Sequence, residues 1–172
     1  MRVLRPAHAL VFAAVTPPAA AAAAFVPPGT LLGIAAAGGA VGLAQALVLA
    51  WARVPKAWLW APSTAAGALA GELVFSRLAF AHPMIALAFA GIVWGLAFGA
   101  FQGHVLREAS RLAPAWIPIA VLARLAGSVV LVTGGSLAMS PFTAGREAVA
   151  AWAASGAVEG LALALLPRRM IQ

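Results

Sequence analysis

Residues 83–106 read PMIALAFAGIVWGLAFGAFQGHVL, 24 positions with no acidic residue, lysine or arginine. A bilayer core is crossed by about 20 mainly apolar residues in a helix rising roughly 1.5 Å per residue, so this stretch is long enough and apolar enough to span. The same ruler, carried outward, predicts further spans near 9–26, 31–51, 60–81, 117–139 and 146–166. The expected fold is all-α: a polytopic transmembrane bundle of about six helices forming one membrane domain over residues 1–172, with almost no chain left for a soluble unit.

Composition agrees with that reading. Apolar residues make up 64% of the chain and charged residues 9%, against roughly half and a quarter in an ordinary soluble domain. The net charge of +7 comes from basic residues in small groups and not from one polar face, which argues against nucleic acid as a partner. Cysteine is absent, which excludes disulfides and thiolate chemistry. Tyr, Asp and Asn are absent too. No phosphate-binding loop, His-Glu-x-x-His helix or Gly-x-Ser-x-Gly elbow occurs, so no enzymatic activity and no metal site is expected.

Basic residues mark the cytoplasmic side of short loops. Arg2 and Arg5, Arg53 and Lys56, Arg107 and Arg111, and Arg168 and Arg169 fall at every second span boundary, eight of the eleven Lys and Arg residues. Both termini are therefore expected in the cytoplasm, and Trp51, Trp58, Trp60 and Trp116 are expected as an interfacial belt at that side. The first span is interrupted by Pro17 and Pro18 and follows a basic start. Residues 1–26 thus read either as a retained, kinked helix or as a cleaved signal peptide.

An internal repeat organises the rest. GLAQALVLA from Gly42, GAFQGHVLR from Gly99 and GAVEGLALA from Gly156 align at intervals of 57 residues, with Gln45, Gln102 and Glu159 in register. WAPSTAAGALAGELV from Trp60 matches WIPIAVLARLAGSVV from Trp116, a 56-residue offset. Pro62 and Pro118 suit the first turn of a helix, where the missing N–H has no intrahelical partner to lose. Glycines at four-residue spacing lie along single helix faces: Gly38 and Gly42; Gly91, Gly95, Gly99 and Gly103; Gly156 and Gly160. They read as packing seams, since in lipid close backbone approach replaces hydrophobic burial as a source of helix association.

The Gly-x-x-Gln-x-x-Val-Leu pattern, carried by GLAQALVL and GAFQGHVL, resembles that of bacterial multi-pass membrane proteins built from repeated helix pairs, over most of residues 42–166. In that pattern an Arg often follows the Leu; Ala50 replaces it in the first copy, and Glu159 replaces Gln in the third. The resemblance implies a multi-pass fold in a bacterial inner membrane and implies no reaction.

Ionisable residues at membrane depth cost about 2.5–3.5 kcal/mol each on insertion scales and are functional candidates by default. Glu72, Arg77, Arg124 and Glu159 qualify, and their charges sum to zero. Arg124 and Glu159 are each seven residues inside a predicted cytoplasmic end, roughly 10 Å deep, near Gln45 and Gln102. Two roles compete. In one, Arg124 pairs with Glu159, and Glu72 with Arg77 or Arg124, to fix helix register, while the glutamines bond across helices. In the other, Glu72 or Glu159 meets a solute or a proton, with Arg124 as counter-charge. Arg77 can also snorkel outward.

His8 and His104 are expected near one boundary and His82 at the other, which disfavours a bis-histidine haem; single axial ligation of a haem or pigment by His104 or His82 stays open. Three functions follow as expectations. The first is a non-enzymatic accessory or structural subunit, in contact with membrane lipids, that packs through its glycine seams and lipid-facing surface against other integral membrane proteins. The second is a small-solute or proton-coupled transporter, and the third a pigment- or haem-binding subunit.

Overall fold

The computed structural model describes residues 6–23, 30–78, 82–107, 113–133 and 146–165. These form six α-helices: α1 (Pro6–Ala23), α2 (Leu31–Trp51), α3 (Trp60–Leu78), α4 (Pro83–Leu106), α5 (Trp116–Thr133) and α6 (Arg146–Leu165). There is no strand among the described residues. The expected ends at 24–26, 79–81, 134–139 and 166 fall outside them, as do Arg2, Arg5, Arg111, Arg168 and Arg169. Three segments, Leu31–Trp51, Pro83–Leu106 and Ala113–Thr133, are long and apolar enough to cross a membrane; Val149–Leu165 is a shorter apolar helix.

Local chemistry sets the helix ends. Thr30 caps α2 by accepting the Gly33 N–H at 3.0 Å, which satisfies one orphan donor of the first turn. Pro83 opens α4, where its fixed φ suits the first turn. Single 3-10 turns, Ala57–Leu59 and Ala113–Ala115, lead into α3 and α5. At the end of α2 the Val54 N–H reaches Leu49 O and the Arg53 N–H reaches Ala50 O, while Arg53 takes a left-handed φ of 61°. This is a Schellman stop with arginine where glycine is usual.

The helices form a closed ring. Each packs on its chain neighbours, α6 packs on α1, and among the described residues the backbones of no other helix pair approach closely; only long side chains reach across the middle. Glycine sets the spacing within three pairs, α2 on α3, α4 on α5 and α6 on α1. A Cβ on Gly42 would lie 2.7 Å from Thr64 Cβ, one on Gly99 2.5 Å from Ile117 Cα, and one on Gly156 2.7 Å from Thr16 Oγ1. Gly38 faces Ala68, Gly91 faces Ser128, Gly95 faces Val121, Gly103 faces Ala113, and Gly160 faces Ala9 and Ala13. All eight glycines therefore lie at contacts between this chain's own helices, which corrects the expectation that the seams pack against other membrane proteins. At all but Gly91 and Gly103 a Cβ would come within 3 Å of the facing helix, so even alanine would push the helices apart there and weaken the dispersion contacts along the seam.

Polarity is arranged inside out. Leu10, Leu32, Leu43, Leu47, Leu122, Leu161 and Leu165 are exposed around the outer face, whereas Thr16, Gln45, Thr64, Gln102, Arg124, Ser155 and Glu159 are buried inside. Apolar surface on every side is what a lipid-facing bundle requires and what a water-soluble one avoids.

Candidate functional site: a buried polar layer

Three aromatic rings cross the bundle axis near the starts of α3 and α5. Phe12 of α1 meets Trp60 of α3 edge-on at 5.8 Å, and Trp60 meets Trp116 of α5 at 5.6 Å. Trp60 is 0% and Trp116 1% exposed. The expectation that both belong to an interfacial belt is thus corrected: the ring turns them inward, and their indole N–H groups require acceptors inside. Trp51 and Trp58 do lie on the outside, 61% and 69% exposed.

The acceptors are the repeated glutamines. Trp60 Nε1 donates to Gln45 Oε1 at 2.9 Å, and Trp116 Nε1 donates to Gln102 Oε1 at 2.9 Å. Each amide then donates to a threonine on the preceding helix, Gln45 Nε2 to Thr16 Oγ1 at 3.0 Å and Gln102 Nε2 to Thr64 Oγ1 at 3.1 Å. Each threonine in turn donates to the carbonyl four residues back, Thr16 to Phe12 O and Thr64 to Trp60 O. A buried amide left unsatisfied costs about 1–3 kcal/mol. The chain Trp–Gln–Thr–carbonyl, made twice, avoids that cost.

In the third pair the same positions carry different chemistry. Glu159 replaces Gln, Phe12 stands where the other pairs have an indole donor, and Ala120 stands where they have Thr. The carboxylate recruits other donors: Arg124, one turn beyond Ala120, forms a buried ion pair with Glu159 through Nη2 and Oε1, and Gln45 Nε2 reaches Oε2 at 3.3 Å. Arg124 and Glu159 side chains are 2% and 0% exposed.

Aromatic faces enclose the rest of the guanidinium. Its Cζ lies 4.8 Å from the Phe98 ring centre, 4.9 Å from Trp152 and 5.5 Å from Trp94. Arg124 Nε and Nη1 make no hydrogen bond; ring faces, which attract desolvated cations by up to about 2 kcal/mol, surround them instead. A cavity of about 10 Å³ adjoins them, lined by Arg124, Gly127, Ser128, Trp152 and Ser155, no larger than one water molecule. Ser155 donates to Ala123 O at 2.9 Å and Ser128 to Arg124 O at 3.1 Å, so both hydroxyl protons go to backbone.

Of the predicted polar residues, the fold thus brings together Gln45, Arg124 and Glu159 and sets Gln102 in a parallel chain. Glu159, not Glu72, is the carboxylate that meets Arg124. Glu72 is half-buried two turns beyond Thr64 on α3, and Arg77 is exposed near the end of that helix. His104 and His82 are both exposed, at opposite ends of α4, and His8 packs edge-on against Trp51 at 4.5 Å. No group of three His, Cys, Asp or Glu able to hold a metal ion occurs among the described residues.

Sequence reasoning missed Thr16, Thr64 and the cage of Trp94, Phe98 and Trp152. Signals for both exist. Phe12 and Thr16 repeat the four-residue spacing of Trp60 and Thr64, and each cage ring stands where the 57-residue register elsewhere has Ala, Val, Ser or Gly. No protein-family model, curated protein or solved structure matches the chain.

Proposed function

We propose that this chain is an integral protein of a bacterial cytoplasmic membrane that crosses it six times with both termini cytoplasmic, and that it serves as a non-enzymatic structural subunit of a membrane assembly. One observation carries the reading: most interior polar side chains bond to one another inside a closed ring of helices. Gln45, Gln102, Glu159 and both inner tryptophans bond within the layer, which suits a rigid lock between helices. The glycine seams are taken up inside the ring, so partners would meet the apolar outer faces, alongside lipid.

Two measurements test this. The chain has no cysteine, so single Arg53→Cys and Thr30→Cys variants report topology directly: labelling of the first from the cytoplasmic side only, and of the second from the opposite side only, is expected. Purification in mild detergent followed by mass measurement should recover a larger complex; a stable monomer with no co-purifying membrane protein overturns the subunit role.

A second reading, a small-solute or proton-coupled transporter, is favoured by one feature, the buried Arg124 nitrogens beside a small cavity. Flux through reconstituted vesicles that is unchanged by Glu159→Gln and Arg124→Gln sinks it. A visible absorption band in the native preparation would instead favour a pigment- or haem-binding subunit.

A further inference from the structure

We propose that the outer groove between α3 and α4 binds one anionic phospholipid, with an acyl chain in the groove and its phosphate beside His104 and Arg107. The proposal rests on the membrane reading above. The groove encloses about 320 Å³, within the range of roughly 300–1,000 Å³ typical of ligand pockets. Ser63 and Val105 floor it, and Pro62, Ala66, Phe101 and His104 wall it, the last four exposed on the outer face.

The comparison with the other pairs shows why the groove exists here. Ala66 occupies the position held by Leu122 on α5, a side chain 61% exposed on the outer face. His104 occupies the position of Leu47 and Leu161, and Ser63 that of Ile119. Two departures from the leucine pattern thus fall together on the outer face, Ala66 removing bulk and His104 adding a polar group, while Ser63 lies buried beneath them and donates to Leu59 O. Removal of bulk makes room for a chain, and a histidine on an outer face needs a polar partner.

The chemistry of that partner follows from charge. Arg107 caps α4 one turn beyond His104 and is exposed, and Arg53 and Lys56 lie exposed in the loop before α3. Trp58, 69% exposed, has the amphipathic ring that settles at headgroup level. An apolar slot ending in cationic and imidazole groups at the membrane–water boundary matches a lipid with a negatively charged headgroup better than a zwitterionic one.

Native mass measurement of the detergent-solubilised protein, with phosphatidylglycerol or phosphatidylcholine of identical chains added, tests the site. One phosphatidylglycerol should be retained in clear preference to phosphatidylcholine. Arg107→Gln should lower that retention about fivefold, the contribution of one basic residue near an anionic membrane surface. Ala66→Leu, which places on α3 the side chain that α5 already carries, should abolish retention while leaving the elution profile and thermal transition unchanged. Equal retention of the two lipids, full retention by Ala66→Leu, or a co-purifying quinone or pigment that phosphatidylglycerol does not displace overturns the proposal. Failure of the membrane reading itself would appear separately, in the cysteine-labelling pattern.

Discussion

The α6–α1 pair and the α2–α3 and α4–α5 pairs solve the same burial problem with different chemistry. In the latter two, an indole and a threonine satisfy one neutral amide. In the former, a carboxylate is balanced by an arginine that three aromatic rings enclose. Neutral hydrogen bonds need only correct placement, whereas a buried charge carries a desolvation penalty of several kcal/mol that its partner must offset. The third pair is therefore the part of the layer most sensitive to change, because loss of either member leaves the other charge stranded.

That contrast can be broken most directly at the charge. Glu159→Gln leaves Arg124 buried without its counter-ion and should cost about 3–5 kcal/mol, read as a lowered unfolding midpoint in detergent. The double variant Glu159→Gln/Arg124→Met, which makes the third layer neutral like the others, should recover most of that loss. A double variant as unstable as Glu159→Gln alone would show that the ion pair is not the source.

At the glycine seam the three pairs should behave alike. Gly42→Ala and Gly156→Ala each drive a Cβ into a threonine on the next helix, and each should cost about 1–3 kcal/mol as overpacking. Gly39, with nothing within 4 Å of its Cβ position, should tolerate Ala or gain up to about 1 kcal/mol from helix propensity. Equal midpoints for all three variants would contradict the seam.

A further variant sharpens the comparison from the neutral side. Trp116→Phe gives the α4–α5 pair the aromatic that the third pair has in Phe12 and removes the donor to Gln102 Oε1. Leaving that buried oxygen without its donor should cost about 1–3 kcal/mol, below Glu159→Gln. A cost as large as that of the ion-pair variant would mean that the two kinds of layer are equally strained.

The outer surface adds a second contrast. Leu47, Leu122 and Leu161 repeat an apolar exterior, and the α3–α4 face departs from it through Ala66 and His104. Inside and outside, chemistry concentrates where the aligned positions differ: Glu159 and the cage rings in the interior, His104 on the outer face.

Helices were legible in the sequence because length and hydropathy are local properties; α2 and α4 occupy the expected residues 31–51 and 83–106. The candidacy of Gln45, Gln102, Arg124 and Glu159 was legible as well, since polar groups in apolar spans are conspicuous by their cost. What the sequence could not decide is which way a side chain turns. Trp60 and Trp116 read as interfacial because they flank basic loops, yet closure of the ring rotates them onto the axis, where only glutamines across the pair satisfy them. Arg124 had two carboxylates within reach on helical spacing, and the choice of Glu159 over Glu72 came from α6 packing between α5 and α1. Hydropathy and periodicity determined that six helices form and that a few polar groups must be buried among them. Pairing of those groups belongs to tertiary structure, because it depends on contacts between residues as far apart in the chain as Gln45 and Glu159.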